Sequence, residues 1–135
     1  MNAYQQAISQ YKNIELESKV LNASPHELIS LLFQGAKSHI NSALTCLVHK
    51  QTASRCHHIG KAISIVSGLR SSLDMDVGKE IADNLDKLYE YIQHILLMAN
   101  LKCSDKLLQE AHNLLNEIAV AWEAIKEHDS SQSKA

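Results

Sequence analysis

Chemistry in this chain would have to come from histidine, cysteine or carboxylate pairs held at fixed spacing. His57-His58-Ile59-Gly60-Lys61 places a lysine four residues after one histidine and three after the next, one helical turn away in either case. A histidine phosphotransfer domain needs such a lysine to balance the phosphoryl charge, and a nearby glycine to admit a partner. His57 or His58 would then be the phosphoryl acceptor of a helical bundle. Such domains place the lysine before the glycine, whereas here Gly60 precedes Lys61, and a solvated surface cation is the simpler reading of Lys61. Cys46 and His49, with Cys56 and His57 beyond a polar break, could in principle close a tetrahedral zinc site. Cys46, however, falls on the apolar side of its segment, where a free cysteine behaves as a small hydrophobe. No metal and no cofactor is expected.

Other catalytic patterns fail on spacing. No glutamate has a histidine three residues later, so the repeated motif of carboxylate-bridged metal bundles is missing. His26-Glu27 begins like a zinc-protease helix but lacks its second histidine, and Gly60-Lys61 lacks the upstream glycine of a phosphate loop. The expectation is a protein without enzymatic activity.

The elements that would position these residues are helices. The 135 residues are 45% hydrophobic with four glycines, one proline and six aromatic residues, too few turn-formers and β-formers for a sandwich or barrel. A net charge of −2 disfavours broad nucleic-acid binding, and no apolar run approaches the roughly 20 residues of a membrane span, so no membrane insertion is expected. Three cysteines without a C-x-x-C, and an opening Met1-Asn2-Ala3-Tyr4 without basic or apolar signal character, suit reduced thiols in the cytoplasm.

Ser24-Pro25-His26-Glu27 is a helix start: serine caps, proline suits the first turn, and glutamate can bond back to the cap. Ile29, Phe33, Ala36, Ile40, Ala43 and Leu47 follow at helical steps. A second stripe runs Ile59, Ala62, Val66, Leu69 and Leu73, with Thr52 or Ser54 as cap. The third runs Ile81, Leu85, Leu88, Ile92, Ile95 and Ala99, flanked by Ala82, Tyr89 and Leu96, with Asp74 or Asp76 as cap. The fourth, capped by Ser104, runs Leu108, Ala111, Leu115, Ile118, Trp122 and Ile125. Four amphipathic helices on short loops make an all-α, antiparallel up-down-up-down bundle over 24–128, with a disordered tail at 129–135. Residues 1–23 form an arm, with Tyr4, Ile8 and Tyr11 at helical spacing on a segment too short to hold a helix alone.

Three stretches carry a resemblance. They are Asn2-Ala3-Tyr4-Gln5, the run Ala23-Ser24-Pro25 through Phe33-Gln34-Gly35-Ala36, and Ser72-Leu73-Asp74-Met75-Asp76 through Gly78, Asn84-Leu85, Leu88-Tyr89 and Ala99-Asn100. Together they resemble the FliS family of flagellin-specific export chaperones, with departures at His26, Gln34 and Lys79. The resemblance implies a cytoplasmic chaperone that binds the disordered C-terminal segment of flagellin, prevents premature polymerisation and delivers it to the flagellar type III export apparatus. Export-gate or regulatory proteins would be further partners. It places the client groove around Met75, Ile81, Leu85, Leu88, Tyr89, Ile92 and Leu96, with Tyr89 and Leu96 as the flanking contacts. It makes the arm a cover through Tyr4, Ile8 and Tyr11.

Overall fold

Ser24 and Pro25 start the first helix as their chemistry requires: the Glu27 N–H donates to Ser24 Oγ at 3.2 Å, and proline fills the first helical position. The computed structural model describes residues 23–73 and 78–133, with side chains as far as 125. The elements are α1 (Pro25–Val48), α2 (Thr52–Ser71), α3 (Lys79–Lys102) and α4 (Asp105–Ser133). Each packs on its chain neighbours, and α4 returns to α1, which closes the antiparallel up-down-up-down bundle. Among the described residues there is no strand, and no helix is long and apolar enough to cross a membrane.

The connections are tight because each helix end is closed by backbone bonds. At the end of α1, Lys50 takes a left-handed conformation (φ 56°), and the Gln51 N–H reaches back to Cys46 O at 2.9 Å. This is a Schellman closure with lysine where glycine is usual. It feeds the chain straight into α2, so the cap is Gln51 without a side-chain bond, and not Thr52 or Ser54 as the sequence suggested. Cys103 makes a similar left-handed end to α3 (φ 51°), and the next residue, Ser104, caps α4 through the Leu107 N–H at 3.2 Å. The position before α3 is Gly78 (φ 72°) with no side-chain cap, a conformation that glycine adopts without a Cβ clash; Asp74 and Asp76 lie outside the described residues. Helical backbone continues to Ser133, beyond the expected boundary at 128, since extending a formed helix is far easier than nucleating one.

The core follows the apolar stripes. Leu32, Ala36, Ile40 and Ala43 of α1 meet Ile59, Ala62, Ile65 and Val66 of α2, all at most 1% exposed. From α3, Tyr89, Ile92, Leu96 and Ala99 are buried, and from α4 Leu108, Ala111 and Leu115. Burial on α3 is rotated from the predicted seam. Ala82, Tyr89 and Leu96, expected on the flank, are buried, whereas Ile81 is 66% exposed and Leu85 and Leu88 are half-buried.

Polar groups staple the helix pairs. Arg70 on α2 grips Asp86 on α3 with two bonds, at 2.7 and 3.1 Å, while Gln93 spans Ile63 O, Ser67 Oγ and the same guanidinium. Arg55, 8% exposed, reaches Asn100 Oδ1 and O in the last turn of α3, where the carbonyls lack helical partners and the dipole favours a cation. The Arg70 hydrogen bond holds the Asp86 carboxyl below the usual range. A depressed carboxylate pKa adds stability above its unfolded value, near pH 4, that is lost as pH falls through the folded value. Asp86→Asn should therefore lower the thermal midpoint at pH 7 by an amount worth less than about 1 kcal/mol, since the pair is partly exposed. Melting curves of both proteins should converge as the pH falls through the depressed folded value of Asp86.

Candidate binding cleft

At the end of the bundle where α1 and α3 begin and α2 and α4 approach their ends, the four helices leave an apolar cleft of about 290 Å³. Ile29 and Phe33 of α1, Leu69 of α2 and Leu73 just beyond it, Ile81, Leu85 and Tyr89 of α3, and Ile118, Trp122 and Ile125 of α4 line it. Its floor is core: Phe33 and Leu69 are 2% exposed and Tyr89 3%. Its rim is not, with Ile81 at 66% and Ile125 at 50%. Isolated exposed apolar residues are ordinary, but two on the lip of an apolar hollow make a surface that gains from being covered.

Trp122 is fixed as a wall of this cleft. Its indole N–H donates to His26 O at 3.2 Å, and its ring stacks on the His26 imidazole with centroids 4.4 Å apart and planes 8° from parallel. With the indole N–H satisfied, the apolar remainder of the ring is available to the cleft. His26 Nε2 is buried without a hydrogen-bond partner. Burial pushes the Tyr89 phenol well above its usual pKa, so it stays neutral at any physiological pH.

Three of the groove residues expected from sequence, Ile81, Leu85 and Tyr89, come together here. Leu88 is half-buried against the core and does not line the cleft, while Ile92 and Leu96 have no exposed surface and belong to the interior. Met75, Tyr4, Ile8 and Tyr11 lie outside the described residues, as does the arm apart from Ala23, which packs on the core. Sequence reasoning missed Ile29, Leu73, Ile118 and Ile125 as cleft residues, and read Phe33 and Trp122 as core alone. The available signal was their position: Ile29 and Phe33 lie in the first turns of α1, Leu73 just past α2, and Ile118, Trp122 and Ile125 from the middle of α4 onward, which an antiparallel bundle brings to one end.

The residues weighed for catalysis are placed differently. His58 Nδ1 lies 2.9 Å from His39 Nδ1 across the α1–α2 seam, and His57 packs edge-on against His58. Cys46 is buried, while Cys56 is exposed with its thiol 3.5 Å from Asn100 Oδ1. Among the described residues no three His, Cys, Asp or Glu side chains converge as a metal site would require.

A helical bundle with an open apolar end admits many binding roles, and comparison with known proteins narrows them. The family described as flagellar protein FliS matches residues 7–129. The chain belongs to the FliS family. It is 40% identical over 119 residues to the flagellar secretion chaperone FliSB of Pseudomonas aeruginosa, covering 88% of this chain and 94% of that one. It is also 40% identical over 126 residues to the flagellar secretion chaperone FliS of Salmonella typhimurium, covering 93% of each. The Vibrio cholerae FliS is 30% identical over 119 residues, 88% of each chain. These FliS relatives are named as secretion chaperones, not as enzymes, so the histidine phosphotransfer reading has no support among them.

Proposed function

We propose that this chain is a cytoplasmic export chaperone that binds the disordered C-terminal segment of flagellin and hands it to the flagellar type III export apparatus. The observation that carries this reading is the cleft: all four helices contribute apolar side chains, and its rim residues Ile81 and Ile125 stay uncovered, in a chain of the flagellar secretion chaperone family. An export client must remain unfolded and unassembled until delivery. A segment that would form amphipathic helices in the filament can lay its apolar face into such a cleft, and its polymerising surface is then hidden. Each apolar anchor removed from water contributes about 1.5–3 kcal/mol. Ordering the client opposes this gain, which keeps the complex reversible for cargo that must be released.

The arm over residues 1–23 is proposed as a cover, with Tyr4, Ile8 and Tyr11 competing with the client for the apolar end. A cover of this kind raises the apparent Kd by the inverse of the open fraction. Deleting residues 1–12 should leave the far-ultraviolet spectrum helical and should tighten client binding or leave it unchanged. Unfolding on deletion would show that the segment is structural. Export-gate or regulatory proteins are proposed as further partners, which would receive the loaded complex.

Trp122 provides a direct test, since it is the only tryptophan and stands in the cleft wall. Titration with a flagellin C-terminal segment should shift its emission to shorter wavelength as the client excludes water, with saturation at one segment per chain. An unchanged spectrum through high micromolar segment would reject the cleft as the client site.

A further inference from the structure

The α4 wall of the cleft is backed by a histidine that does not reach the cleft itself. His26 is the second residue of α1, one helical step before the lining residues Ile29 and Phe33. Its half-buried imidazole does not line the cleft, whereas the indole of Trp122 does. With ring centroids 4.4 Å apart and planes 8° from parallel, the imidazole therefore covers the indole on the side away from the cleft. The indole N–H is tied to His26 O at 3.2 Å. The next residue of α4, Glu123, accepts from the Ser30 hydroxyl, one turn along α1 from His26. Two consecutive residues of α4 are thus docked on the first turns of α1.

His26 Nε2 is buried without a hydrogen-bond partner. An unpaired buried nitrogen opposes folding, so the ring contributes through its flat face and not through that atom. The use of a flat face follows from the torsions of tryptophan. Rotation of an indole about its last bond is soft, because terminal torsions onto a planar ring have broad minima. A single N–H bond leaves the ring free to swing about that bond, and a second ring stacked parallel on it removes the freedom. The indole is the largest side chain in the lining, so its angle decides how much of the cleft is open.

We propose that His26 is a positioning residue that sets the size specificity of the cleft: its imidazole holds Trp122 at the angle that admits aliphatic anchors and refuses a second indole. This rests on the client reading given above. Without the imidazole, the indole can fall back toward α1 into the vacated space. The cleft then widens, larger anchors enter, and aliphatic ones are packed less closely.

The test compares the full chain with His26→Ala and His26→Phe, using a flagellin C-terminal segment and copies in which each aliphatic residue in turn becomes tryptophan. On wild type, at least one replacement should weaken binding about tenfold, the penalty of overfilling an apolar pocket. In His26→Ala that penalty should fall to about threefold or less, with the parent segment bound about three- to tenfold more weakly. His26→Phe keeps a stacked ring and should keep both values. A ratio of two affinities measured on one folded protein does not move with fold stability, so a merely structural role would leave it unchanged. Melting curves should show His26→Phe no less stable than wild type, since the unpaired nitrogen is gone. His26→Gln replaces His26→Ala if the latter melts below the assay temperature. Equal discrimination in all three proteins, or none in wild type, would overturn the proposal and leave the cleft standing. If wild type does not bind the segment, the client reading fails. N-acetyl-leucinamide and N-acetyl-tryptophanamide at millimolar concentration, followed by the Trp122 indole N–H signal in NMR, then decide the role of His26 alone. A preference moved toward the tryptophan compound in His26→Ala and not in His26→Phe would support it. An unmoved preference, or no response to either compound, would overturn it.

Discussion

Ile81→Asp is expected to weaken binding of the flagellin C-terminal segment by at least about 100-fold while leaving the thermal midpoint of the bundle within about 2 °C of wild type. The two halves have separate physical causes. Ile81 is 66% exposed, so folding gains little from it. It is also the third residue of α3, where an aspartate faces the positive end of the helix dipole and is well tolerated. Client binding would cover the same side chain, because it stands on the rim of the cleft. The substitution removes an apolar contact worth about 1.5–3 kcal/mol and adds a carboxylate that must lose water against an apolar partner. Ile81→Ala, which removes the contact without adding the charge, should cost about tenfold. Fluorescence anisotropy of a labelled segment, with parallel melting curves, separates the two effects.

Leu96→Ala should do the reverse. Leu96 has no exposed surface and belongs to the α3 core face with Ile92 and Ala99. Truncation leaves a cavity that close-packed neighbours fill only in part, at a cost of about 2–5 kcal/mol. The thermal midpoint should fall by about 10 °C or more. Below that midpoint, the affinity of the folded fraction should stay within about twofold of wild type, since Leu96 does not line the cleft. Lost affinity in a fully folded Leu96→Ala protein would mean that the client reaches this side chain and that the cleft lies elsewhere.

This contrast marks where sequence reasoning succeeded and where it stopped. The Ser24 and Ser104 caps were legible because a hydroxyl followed by a helical apolar period has one economical use, to satisfy a free N–H. The α1 and α2 stripes were legible because apolar residues recur at every third or fourth position, although Leu28, Leu32 and Ile65, beside those stripes, are core as well. On α3 the apolar arc is broad, and the period alone cannot say which edge faces the bundle axis. Tyr89 and Leu96 looked like the free flank and are interior, while Ile81 and Leu85 looked like the seam and face the opening. Phe33 and Trp122 read as core because their spacing is core spacing, and Phe33 is indeed buried. Their second role depends on where four helices end relative to one another, which no single helix encodes. The turn into α2 was hidden for a local reason: Lys50 holds a left-handed conformation for which the usual signal is glycine.

The most direct measurement is titration calorimetry of the full chain with a flagellin C-terminal segment at several temperatures, run alongside Ile81→Asp. One segment should bind per chain with a negative heat-capacity change, the mark of apolar surface removed from water, and the variant should lose that signal. No binding through high micromolar segment, or binding with the same heat-capacity change in Ile81→Asp, would contradict a client held in this cleft.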